Sequence, residues 1–242
     1  MRFPVLLLVS QLLPHQQRQS LKRRLFAVRD MTTRLQTLRR AGFCCSGAID
    51  AGAYRGDWTH EFWSVFPCVP LLMVEPQPAL QSVLRELSVS VPGSEVLAAA
   101  LSDQPGEANF VLQESNSGIR KGAAIDADGI SVRCTTIAAV LEDRPDFSPN
   151  LLKLDLQGHE LQALNGAGGQ LRRFEVIICE LSVIPIGGVP AFAEVNRFFE
   201  DHGYQFYDVL PQYDRPLDGA LWQVDAFYVR SDSSLIASKT WN

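Results

Sequence analysis

Ile49-Asp50-Ala51-Gly52-Ala53-Tyr54-Arg55-Gly56 stands between an apolar run beginning at Phe43, which reads as a buried strand, and an amphipathic run that reads as a helix. The rest of the chain can be placed from this turn. Asp50 falls where the strand is expected to end. Gly52 and Gly56 remove side chains where the backbone must bend sharply, and Asp57-Trp58-Thr59 offers an acidic N-cap to the next helix. Such a turn lets a ligand approach the main chain, with the helix's first N–H groups and the positive end of its dipole aimed at it.

Two nucleotide readings compete for the turn. The dinucleotide fingerprint G-x-G-x-x-G is absent, because Gly52-Ala53-Tyr54-Arg55-Gly56 is G-x-x-x-G. The S-adenosylmethionine turn of class I methyltransferases, an acid ending the first strand in D-x-G-x-x-x-G, is present. An acid and two glycines also serve as ordinary turn chemistry. The next acid favours a nucleotide site. Pro70-Leu71-Leu72-Met73-Val74-Glu75-Pro76 is an apolar strand ending in a carboxylate 25 residues after Asp50 and 19 after Gly56, near where a βαβ site holds its ribose.

With 242 residues, 46% hydrophobic and 20% charged, the chain is long enough for one sizeable core. The net charge of −5 is uneven: residues 1 to 40 carry nine Lys/Arg and one Asp, leaving thirteen basic against twenty-six acidic residues in the remainder. The main body therefore lacks the basic face that phosphate neutralisation needs, and no nucleic-acid partner is expected. Cys44, Cys45, Cys68, Cys134 and Cys179 form no C-x-x-C pair, and the four histidines show no ligand spacing. The expectation is buried reduced thiols in a cytosolic protein and no metal.

Val5 to Leu13 is an apolar run too short to span a bilayer, and only Arg2 precedes it with no A-x-A cleavage site after it, so the reading is cytoplasmic. From Gln16 to Arg40, Leu21, Leu25, Val28, Met31, Leu35 and Leu38 recur at helical spacing among arginines and lysines. Such a basic amphipathic helix either packs its stripe on the domain or meets anionic lipid or a partner enzyme. Beyond Glu75 the sequence predicts a helix over Pro78–Leu87, a third strand over 95–101 ending in Ser102-Asp103, an added strand over 106–113 and a polar loop at 114–118. A strand follows over 131–136, then a helix over 137–142. Leu151-Leu152-Lys153-Leu154-Asp155 is a fourth core strand, with Gln157-Gly158-His159-Glu160 opening a helix. Phe174 to Leu181 is a fifth strand carrying Glu180, Val189 to His202 a helix, and Tyr204–Leu210 with Leu221–Arg230 an antiparallel closing pair. The alternation specifies an α/β, Rossmann-like, mainly parallel seven-stranded sheet with one antiparallel edge strand and helices on both faces.

Together these stretches resemble the FkbM-like family of S-adenosylmethionine-dependent methyltransferases. The resemblance is carried by Ile49 to Gly56 with Trp58-Thr59, Val74-Glu75-Pro76, Ala100 to Asp103, Asn116-Ser117-Gly118, Thr135-Thr136-Ile137, Leu152 to Leu161 with Leu164 to Ala167, Ile177 to Glu180 and Asp225 to Arg230. It covers residues 43 to 230, most specifically around Asp155 to Glu160. It implies a methyltransferase domain over 41–242 behind a helical extension over 1–40. The cofactor would be S-adenosyl-L-methionine and the acceptor a hydroxyl on a sugar, glycan or secondary metabolite. By position, Asp50, Gly52 and Gly56 would hold the methionine end, Glu75 the ribose, and Ser102 with Asp103 the adenine, with Ala53, Tyr54, Pro76, Ser117 and Asp155 also on the cofactor. Tyr54-Arg55 and Gln157 depart from the family's usual residues. Asp155, His159 and Glu180 are the candidate bases, Asp155 first; a strand-end Asp can instead only fix local backbone, and a histidine opening a helix is often merely exposed. The acceptor pocket would be built from loops such as 116–131 and 185–190. An NAD-linked oxidoreductase on the same half-site, or a non-catalytic adaptor with a vestigial pocket, are the alternatives.

Overall fold

Strands covered on both faces are written as nearly unbroken apolar runs, and four such runs make the centre of the sheet in the computed structural model, which describes residues 30–111, 117–119 and 129–236. They are β1 (Ala48–Ala51), β2 (Leu71–Val74), β8 (Leu151–Leu154) and β9 (Val176–Ser182), every residue of each buried. With β3 (Glu95–Leu97), β10 (Tyr204–Asp214) and β11 (Leu221–Arg230) they form a seven-stranded sheet in the order β10-β11-β9-β8-β1-β2-β3. Because successive side chains alternate, Ile49, Leu72, Leu152 and Ile177 face one layer, and Ala48, Met73, Leu151 and Ile178 the other.

Helices α1 (Met31–Arg40), α2 (Asp57–Val65) and α3 (Gln81–Ser88) cover the second face; α4 (Ile137–Glu142), α5 (Glu160–Asn165) and α6 (Phe192–Asp201) cover the first. In α1 the apolar stripe predicted within the basic N-terminal segment is packed away: Met31, Leu35 and Leu38 are buried against Phe62 and its neighbours. Arg34 reaches Asp208 of β10 at 2.6 Å and Arg39 donates to the Val65 carbonyl at 2.8 Å. The earlier part of that segment, with its lipid or partner-enzyme reading, lies outside the described residues, as does most of the 114–118 loop.

Several expectations need correcting. The third strand splits: β3 joins the main sheet, whereas β4 (Ala100–Leu101) pairs with β7 (Gly129–Thr135) in a second sheet ordered β4-β7-β5-β6, with β5 (Gly106–Val111) and β6 (Gly118–Ile119). The reversed strand is β11, one place in from the edge. The connection from β9 through α6 to β10 skips a position, and β11 turns back into it, antiparallel to both neighbours. The N-cap of α2 is Gly56, at φ +85°, and Asp57 sits in the first turn instead. All five cysteines are free thiols, but only Cys134 and Cys179 are buried, while Cys44 and Cys68 are exposed. No helix among the described residues is long and apolar enough to cross a membrane.

Candidate active site

Parallel strands deliver their carboxyl ends to one rim, and there the ends of β1, β2 and β8 surround a cavity of about 490 Å³. Gly52, Ala53 and Tyr54 line it from β1, Glu75, Pro76 and Gln77 from β2, and Asp155, Leu156 and Gln157 from β8. The β1 turn is pressed against the β8 turn. A Cβ on Gly52, whose φ is +80°, would fall 2.0 Å from the Asp155 carbonyl oxygen, so only glycine fits. The turn's amides are occupied within the protein rather than open as an anion nest. The N–H groups of Gly52 and Ala53 donate to the Val74 carbonyl at 2.9 and 3.2 Å, and that of Gly56 to the Ala53 carbonyl at 2.7 Å.

Glu75 is fixed from two sides. Its Oε2 accepts the Tyr54 N–H at 3.0 Å and its Oε1 the Gln77 N–H at 2.9 Å. Burial raises its pKa, and these two donors pull against the rise. Tyr54 and Gln157 are the two non-glycine residues at positive φ (48° and 53°) among those described, and both line the cavity. Backbone strain of this kind gathers at functional sites.

The floor is an ionic cluster around Lys153. Its Nζ lies 3.1 Å from Asp155 Oδ2 and 3.7 Å from Asp50 Oδ1, and it is almost wholly buried. Burial works against its charge, but Asp155, Asp50 and Asp225 outweigh that and raise its pKa, so it stays cationic. Asp50 is inside β1 rather than at its end, is fully buried, and accepts from Thr59 Oγ1 at 2.8 Å. It supports the floor and does not line the cavity. Burial raises its pKa, with Lys153 and Thr59 opposing. Glu180 faces Asp225 across the β9–β11 pair. Burial, then the charges of Asp155, Glu160 and Asp225, push its pKa up to about 9, while Lys153 opposes them. Burial likewise pushes Asp225 up to about 6. Gln157 Nε2 ties the cluster together, donating to Asp155 Oδ1 at 2.8 Å and to Glu180 Oε2 at 3.0 Å.

Of the remaining expected residues, Ser117 and His159 also line the cavity. His159 is buried, not exposed, with Nε2 at 3.0 Å from Ser102 Oγ. Gly56, Ser102 and Asp103 do not line it. The break between β3 and β4 carries Ser102 away to β7, where its N–H donates to the Thr135 carbonyl at 2.9 Å, and Ser102 Oγ contacts Asp103 Oδ1 at 3.1 Å. The wall in their place is apolar: Ala99, Ala100, Leu101, Phe110 and Ile119. Lys153 went unread in the sequence, although a lysine inside an apolar two-faced strand calls for buried counter-charge. Also unread was the far wall, built by Asp30 and Met31, by Asp57, Trp58 and Glu61 of α2, and by Leu210 to Tyr213 of β10. Among the described residues no group of three or more His, Cys, Asp or Glu is arranged to hold a metal ion.

The methyltransferase FkbM domain matches residues 50–206, more than half of the chain. The chain belongs to the FkbM methyltransferase family. That membership favours the methyltransferase expectation over the NAD-linked one. A search of curated proteins returned no match. Among solved structures, this FkbM chain is similar to precorrin-6y C5,15-methyltransferase from Geobacter metallireducens GS-15, at 14% identity over 84% of this chain and 90% of that one, with a TM-score of 0.45. It is also similar to Sp1610 of Streptococcus pneumoniae, solved in complex with S-adenosyl-L-methionine, at 13% identity over 83% and 73%, with a TM-score of 0.47. For WbdD the values are 16% identity over 84% and 41%, with a TM-score of 0.48. Likenesses this distant say nothing of what the FkbM chain acts on.

Proposed function

We propose that this FkbM-family chain transfers a methyl group from S-adenosyl-L-methionine to a hydroxyl of a sugar, glycan or secondary metabolite, with the cofactor held above β1, β2 and β8. The observation that carries the reading is Glu75: a carboxylate fixed by two backbone N–H groups on the cavity, beside a turn that only glycine can make. The donor set suits the cofactor. Each Glu75 oxygen keeps a lone pair for a ribose hydroxyl. Ala99, Leu101, Phe110, Ile119 and Pro76 offer an apolar wall to a flat base. Among the described residues, acidic side chains on the cavity outnumber the ammonium of Lys153, which suits a sulfonium cation, and the volume lies within the range of small-ligand pockets.

When bound, S-adenosylmethionine supplies a methyl carbon already made electrophilic by its positive sulfur. The protein's share is orientation and proton removal. Asp155, held by Lys153 and Gln157 on the cavity, takes the acceptor hydroxyl's proton. Glu180, tied to Asp155 through Gln157, faces the acceptor beside it. Incubating the protein with methyl-labelled S-adenosylmethionine and cell extract tests this. Label in an O-methyl ether of a neutral glycan or small hydroxylated molecule is expected; label confined to protein or RNA, or none, contradicts it.

A further inference from the structure

A second cavity, about 150 Å³, lies beside the first between β9, β11 and the segment leading to α6, and it shares only Gln157 and Glu180 with the larger one. Its volume is about that of a closed cavity that holds benzene, room for one ring whose substituents extend outward past Ile186, and far below the needs of a nucleotide. Its lining is part apolar, with Leu181, Ile186, Val189, Pro190 and the indole of Trp222, and part polar, with Ser182 and Gln223 beside Gln157, Glu160 and Glu180. No Lys, Arg or His is part of its described lining, so a phosphate or carboxylate finds no counter-charge. Ile186 is 45% exposed at the surface of the same segment, an apolar contact for whatever continues from the ring.

Gln157 is the divider. Its left-handed backbone disfavours a side-chain-bearing residue, and its amide bridges Asp155 on one side and Glu180 on the other. We infer, building on the methyl-transfer reading above, that this small cavity is the acceptor subsite and takes one uncharged six-membered ring with hydroxyls at its edge and an apolar face, the chemistry of a hexopyranose. Trp222 and Ile186 meet the apolar face, Ser182 and Gln223 the hydroxyls, and Gln157 positions the hydroxyl that points toward Asp155.

The test is saturation-transfer NMR on full-length protein saturated with S-adenosylhomocysteine, with methyl α-D-glucopyranoside and methyl α-L-rhamnopyranoside as probes. At least one probe should show ring-proton signals, reduced at least tenfold in Trp222→Ala and in Ile186→Asp, while S-adenosylhomocysteine affinity stays within about twofold. The exposed position of Ile186 keeps its variant informative if Trp222→Ala does not fold. Undiminished signals in Ile186→Asp, a parallel loss of S-adenosylhomocysteine affinity, or no ring signal from loaded wild type overturns the subsite. Failure of wild type to bind S-adenosylhomocysteine removes the cofactor reading itself, and the subsite with it.

Discussion

Lys153 is surrounded by Asp50, Asp155 and Asp225, and its removal would leave those carboxylates around a buried space without a cation. Breaking a buried pair from one side costs about 3–5 kcal/mol. Lys153→Met should therefore lower unfolding free energy by roughly that amount in urea titrations at pH 7; a loss near zero would mean that the cluster does not need its ammonium. Glu160 gives a pH-dependent test. Burial pushes its carboxyl up to about 7, although it accepts N–H groups from Leu156 at 2.8 Å and Gly158 at 3.2 Å. A carboxyl raised on folding stabilises below its unfolded value and loses that contribution as pH climbs through its folded one. Glu160→Gln keeps the acceptor but cannot ionise. Its stability relative to wild type should rise by up to about 3 kcal/mol between pH 4.5 and 8, and a parallel pH profile would contradict the raised value. At this scale the strand-end acids Glu75 and Asp155 were legible because a parallel sheet puts strand ends on one rim. Lys153 was visible too, as the one charge in Leu151-Leu152-Lys153-Leu154, but its meaning depends on Asp50 and Asp225, which come from other strands.

Element by element, the strands of the main sheet and the helices between them were legible because each has a length and period of its own. What failed were features that depend on distant pairing. Residues 95 to 101 read as one strand, since nothing in Leu97-Ala98-Ala99-Ala100 marks the transfer to β7. That transfer took Ser102 and Asp103 from their expected place on the cavity. The position of β11 is likewise fixed by the crossover that precedes it. Helix α1 belongs to the same class, because its stripe predicts burial without saying against what. Leu35 is fully buried in α1 among α2 side chains, and Leu→Ala at such sites costs about 2–5 kcal/mol. Leu35→Ala should shift the urea midpoint of the whole domain in one cooperative transition; a local loss of helix with an unchanged midpoint would show α1 to be an appendage.

Across the whole molecule, an acidic body and a cavity with more acids than cations among its described residues suit the cationic ligand proposed for it. Class, sheet and the rim that carries the larger cavity could be read from the sequence. The second cavity could not, because its walls come from β9, β11 and a loop far apart in the chain. Everything proposed for the site depends on Glu75 gripping a ribose. Hydrogen bonds to a charged group contribute about 1.5–3 kcal/mol, and each 1.4 kcal/mol is a factor of ten in affinity. The most direct measurement is calorimetric titration of S-adenosylhomocysteine into wild type and Glu75→Ala. Binding by wild type that weakens about 10- to 100-fold in a still-folded variant is the predicted result; no binding to wild type, or equal affinity in both, contradicts it.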